Sequence, residues 1–132
     1  MRTARKYMVL GLTLAGLLTL SGIYASAQRT FSEQRVRFPR GQNSATLRSR
    51  VSRNKAVLYT VGAKVGQSLT IALDGDAKTR LDLSGPKDKS GQTMANGETE
   101  WSGTLPDTGD YRIFVFTDCH LASPFTLKIT IE

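Results

Sequence analysis

Cysteine, histidine and tryptophan occur once each in this chain, and proline only four times. A lone Cys119 leaves no partner for an intrachain disulfide, so the fold must be held by packing. With His120 as the one histidine, a zinc site of ordinary ligand spacing lacks its donors. No glycine-rich stretch has the spacing that cradles a phosphate. These absences argue against metalloprotein and nucleotide-dependent chemistry and predict a protein with no catalytic residues, no metal and no cofactor.

A long apolar run is found only at the start. Arg2, Arg5 and Lys6 precede an apolar stretch from Met8 to Leu20, and Ala25-Ser26-Ala27 supplies small residues after it. That order is the basic, apolar and cleavage-site sequence of a secretory signal peptide. The run is short for a membrane span, which must cross about 30 Å of hydrocarbon. Residues 1–27 are therefore expected to be removed, leaving one domain over residues 28–132. That domain has no transmembrane segment and a periplasmic or secreted location.

The formal net charge of +7 is unevenly placed. Between residues 28 and 64 stand Arg29, Arg35, Arg37, Arg40, Arg48, Arg50, Arg53, Lys55 and Lys64, opposed by Glu33 alone. The acidic residues lie mostly beyond that point. A basic half is suited to acidic surfaces, although a solvated face needs no partner at all. Export argues against nucleic acid.

Hydrophobicity alternates with period two along most of the domain. Val36 and Phe38 fall in step, as do Ala45, Leu47 and Val51, then Val57, Tyr59 and Val61. The pattern continues with Leu69, Ile71 and Leu73, with Leu81 and Leu83, and with Tyr111, Ile113 and Val115. It closes on Phe125, Leu127, Ile129 and Ile131. Strands with one buried face read this way. Turn residues separate the runs: Val65-Gly66, Asp74-Gly75-Asp76, Ser84-Gly85-Pro86 and Pro106-Asp107-Thr108-Gly109. About seven to eight short strands of this kind predict an all-β fold, a single small antiparallel β-sandwich of jelly-roll type. The polar stretch Lys87–Glu100 reads as a long loop around a short strand.

Candidate chemistry is sparse. Cys119 and His120 are adjacent, and in an extended segment their side chains point to opposite faces, so they form no dyad. Glu98 and Glu100 would sit about 6.6 Å apart on one strand face, whereas a glycosidase pair must flank its bond from two sides. Asp74-Gly75-Asp76 lacks the rest of a calcium loop and reads as a turn. Two features point to binding instead. If the strands bearing Arg35, Arg37, Arg48 and Arg50 are neighbours, their outward guanidinium groups form one patch for phosphates or carboxylates. Trp101, at the edge of the polar stretch, either packs on the core or stacks on a ligand.

FPRGQNSATLRSRV, YTVGAKVGQSLTIAL, LPDTGDYRIFV and FTLKITI, in that order, resemble the small periplasmic inhibitors of g-type lysozyme. They also resemble the broader bacterial pre-peptidase C-terminal (PPC-like) domains. The resemblance runs from about Arg35 to Ile131 and rests on turns and core positions. It implies a β-sandwich that binds a lysozyme without catalysis, inserting loops into the enzyme's cleft. On this chain the loop positions are Asp118, Cys119 and His120, with Arg53 and Lys55 beside them. The chain departs from the inhibitors where their loop is basic, because Thr117–Ala122 holds no Arg or Lys. Asn54-Lys55 also stands where a tyrosine is expected. Two further readings remain open: a PPC-like module binding envelope glycan or an acidic polymer through the arginine face and Trp101, and a structural subunit linked through Cys119.

Overall fold

A computed structural model describes residues 30–132; the expected leader over residues 1–27 lies outside the described residues. The period-two segments become strands because only a sheet places alternate side chains on one face. In chain order they are β1 (Thr30–Arg35), β2 (Ser44–Val51), β3 (Lys55–Ala63), β4 (Ser68–Gly75) and β5 (Thr79–Ser84). Then follow β6 (Thr93–Glu98), β7 (Glu100–Thr104), β8 (Gly109–Thr117) and β9 (Ser123–Ile131). No helix occurs among the described residues.

Two sheets stack face to face. One has five strands in the order β1-β3-β8-β5-β6, and the other has four in the order β2-β9-β4-β7. With β1 set aside, the strands follow the order of an eight-stranded jelly roll, crossing between the sheets at every connection but β5–β6. The expected fold class is borne out. All the alternating apolar side chains named above face inward. Tyr59, Val61, Leu69, Ile71, Leu81, Leu83, Tyr111, Ile113, Val115, Leu127 and Ile129 are buried in one cluster, and Phe38 and Leu47 pack at its margin. Leu105 and Ala95 complete it from segments that carry no clear alternation.

Two local expectations are corrected, and the short strand expected in the polar stretch is located. The first strand is Thr30–Arg35, ahead of the Val36–Phe38 step, and it pairs in parallel with β3. All its side chains are exposed, so it carries no apolar signal. It is held by backbone bonds, by Phe31 packed edge-on against Phe114 with ring centres 6.4 Å apart, and by an ion pair. The Arg35 guanidinium crosses β3 to reach Asp110 on β8 through two hydrogen bonds of 3.2 and 3.0 Å. Gly62 permits the crossing, because a Cβ there would lie 2.9 Å from Arg35 Nη2. The strand expected in the polar stretch from Lys87 is β6, whose pairing with β5 is irregular near Leu81 and Leu83. Second, Glu98 ends β6 and Glu100 begins β7, so the two carboxylates stand on different sheets rather than along one strand face.

The turn into β8 is tied from within. The Tyr111 hydroxyl donates to the Asp107 carbonyl at 2.7 Å and accepts the Asp107 N–H at 3.1 Å. Gly109 sits at φ 151°, and a Cβ there would lie 2.8 Å from the Pro86 ring, so only glycine fits. Two substitutions give opposite expectations. Tyr111→Phe leaves both Asp107 backbone groups without their partner and should lower stability by about 1–3 kcal/mol. Thr79 is buried on β5 with its hydroxyl unpartnered among the described residues. Thr79→Val replaces that hydroxyl with a methyl of similar size and should leave stability unchanged or raise it by about 1 kcal/mol. Urea unfolding of the two variants checks both signs.

Candidate functional site

At one end of the sandwich three connections meet: β2–β3 (residues 52–54), β4–β5 (76–78) and β8–β9 (118–122). The first is a tight turn, with Ser52 and Lys55 exchanging backbone hydrogen bonds of 2.9 and 3.0 Å. The third bridges the two sheets, running from β8 at the centre of one to β9 inside the other. Its stem residues are sealed into the sandwich, with Thr117 0% and Ser123 8% exposed.

Cross-bonds hold the three connections together. The Arg53 N–H donates to the Cys119 carbonyl at 2.7 Å. The Cys119 N–H donates to Thr117 Oγ1 at 3.2 Å, and the Cys119 thiol donates to Asp76 Oδ1 at 3.4 Å. The same Asp76 oxygen accepts the Lys78 N–H at 2.9 Å, which closes the β4–β5 turn on itself. The Lys78 amide, then the Cys119 thiol, then the Lys78 charge hold the Asp76 carboxyl below the usual carboxylate range. The structure therefore brings Arg53, Lys55, Asp118, Cys119 and His120 to one end. It adds Asp76 and Lys78, which sequence reading left as an ordinary turn. The only signal for them was Asp76 itself, an Asx residue two positions before the amide it caps.

The arginines that alternation set facing outward do not form one patch. β1 and β2 belong to different sheets, so Arg35 and Arg37 stand apart from Arg48 and Arg50, and Arg35 is occupied by Asp110. Arg48 and Arg50 instead wall an open groove of about 720 Å³ on the outer face of the four-stranded sheet. Asp74 and Asp76 form the opposite wall, with Pro124 and Thr126 between. Trp101 on β7 lies opposite Ile71 of β4. It is half-buried and packed on the core, its ring against Gly103, where a Cβ would come within 3.0 Å. Core packing, one of its two readings, is therefore observed.

Chemically, the loop end is built to make contacts. Arg53, Lys55, Asp118, His120 and Leu121 are exposed around the braced Cys119. Among the described residues no three His, Cys, Asp or Glu side chains gather as a metal would need.

The brace has a pH signature. Asp76 has a depressed pKa in the folded protein, so its contribution is present above the unfolded value near 3.8 and is lost as pH falls through the lower folded value. The Lys78 amide resonance should hold constant from pH 7 to 5 and shift only below that unfolded value. In Asp76→Asn the shift should disappear. Two-dimensional NMR across pH 7 to 2.5 reads both.

No family model matches the chain, and no curated protein does. Solved structures do. The periplasmic inhibitor of g-type lysozyme PliG from Aeromonas hydrophila aligns with a TM-score of 0.69 and 26% identity, over 77% of this chain and 97% of that one. PliG from Salmonella Typhimurium aligns with a TM-score of 0.62 and 22% identity, over 78% and 100%. The pre-peptidase C-terminal domain of a Bacillus anthracis collagenase aligns with a TM-score of 0.56 and 12% identity, over 80% and 99%. The resemblance carried by the four sequence motifs is thus a resemblance of the whole sandwich: this chain has the fold shared by the periplasmic inhibitors of g-type lysozyme and the pre-peptidase C-terminal domain.

Proposed function

We propose that the protein is an exported, non-catalytic inhibitor of a g-type lysozyme. It binds with the loop end and blocks the cleft by occupying it. The observation that carries this reading is the near-complete coverage, 97%, of an Aeromonas hydrophila protein named as a periplasmic inhibitor of g-type lysozyme. The braced loops support it. A loop cross-bonded at Arg53, Cys119 and Asp76 enters a cleft with little ordering cost, because it is already held in the free protein. The cations at Arg53 and Lys55 suit a cleft lined with the carboxylates of a glycan-cleaving enzyme. The amino-terminal pattern over residues 1–27 supports delivery to the periplasm, where the named inhibitors act.

The groove favours a second reading. The Arg48 and Arg50 side chains make no hydrogen bond or ion pair among the described residues, leaving two guanidinium groups open to a carboxylate-bearing envelope polymer, as in a PPC-like binding module.

Lysis of peptidoglycan by g-, c- and i-type lysozymes, with and without the purified protein, separates the two. Stoichiometric suppression of the g-type enzyme alone is the expected result. Arg53→Glu combined with Lys55→Glu should weaken that suppression about tenfold or more at low salt, mainly through slower association. Absence of suppression of any class at micromolar protein, together with salt-sensitive binding of acidic polymer lost in Arg48→Glu, would establish the second reading instead.

A further inference from the structure

Large apolar side chains that stand in water are few among the described residues: Phe31, Val65 and Leu121. Phe31 has a structural use, packed edge-on against Phe114. Val65 lies at the far end of the sandwich, its amide bonded to Thr108. Leu121 has neither account. It is 83% exposed, it is not packed on the core cluster, and it sits in the β8–β9 connection next to His120. A solitary surface leucine needs no explanation by itself. This one stands on a connection that is bonded to both neighbouring turns at the candidate site.

The holding is specific. Both stems of the connection are buried, and its middle is bonded to the β2–β3 turn through Arg53 N–H to Cys119 C=O and to the β4–β5 turn through Cys119 Sγ to Asp76. The backbone is therefore anchored on both sides of a side chain with nothing to pack against. A pre-ordered loop that offers a bare leucine loses little entropy on docking, and the burial of that side chain is worth roughly ten- to a hundredfold in affinity. The connection itself carries Asp118 and no Lys or Arg. The cations nearby come from the flanking turns, at Arg53, Lys55 and Lys78.

We propose that Leu121 is the anchor by which the loop end seizes its partner, and that it enters an apolar pocket in the partner's cleft whose rim is acidic. This rests on the inhibitor reading and adds to it the chemistry of the partner's surface: the deep contact is apolar, and the charged contacts lie around it. Such an arrangement, a buried apolar centre within a polar rim, concentrates affinity in one side chain.

Inhibition of the g-type lysozyme is titrated with the wild-type protein and with Leu121→Ser, Leu121→Met and Leu121→Lys. Leu121→Ser should weaken inhibition about thirtyfold. Leu121→Met, of similar volume, should stay within about threefold of wild type. Leu121→Lys should lose at least as much as serine. All three should melt at the wild-type temperature, because the side chain is exposed. Wild-type inhibition undiminished in Leu121→Ser overturns the anchor and leaves the inhibitor reading standing. Equal or tighter inhibition by Leu121→Lys shows an acidic pocket and overturns the proposed chemistry. A clear drop in melting temperature for Leu121→Ser shows the leucine serving the fold and also overturns the proposal. A wild-type protein that suppresses no lysozyme overturns both readings together.

Discussion

The packing of the two sheets on one another, with β8 in the middle of one and β9 inside the other, is what the rest of the molecule hangs on. Each of these strands lies inside its sheet, flanked on both edges by other strands. Their inward side chains, Tyr111, Ile113 and Val115 on one and Phe125, Leu127 and Ile129 on the other, belong to a single core cluster that no disulfide supports. Close packing of such side chains supplies the stability that small exported domains often draw from cross-links. It also determines where the candidate site can be. The connection between these two strands starts and ends on interior strands, with both stem residues buried, so it can be rigid without being buried.

How much of this could be read from the chain follows from burial. Alternation names a strand only when one of its faces is covered, and β2, β3, β4, β5, β8 and β9 meet that condition. Their inward residues were legible one by one. β1 was not, since every side chain on it faces water and its place is set by Arg35, Gly62 and Asp110, residues distant in sequence. β6 was blurred because its irregular pairing with β5 breaks the period.

The site was legible in part for a related reason. Arg53, Lys55, Asp118, Cys119 and His120 could be named from turn positions and from the resemblance to a family of inhibitors. Asp76 joins them only because the jelly-roll path returns the β4–β5 turn to the same end. Leu121 drew no attention because a leucine between strands reads as core until its exposure is seen. The outward arginines teach the converse lesson. Direction was right for each, yet the sharing of a face depends on strand neighbours, and β1 and β2 lie on different sheets. The positive charge of the chain is thereby divided among three tasks: clamping β1, walling a groove and flanking a loop.

The position of β9 also bears on the order in which the sheet can form. The last strand in the sequence lies between β2 and β4, and its register pairs Ser44 with Thr130 and Leu69 with Ile131. Neither pairing can form until residues 123–131 have been made, and contacts so distant along the chain form slowly. The four-stranded sheet is thus completed at its middle, by insertion of a strand between two others rather than by growth at an edge.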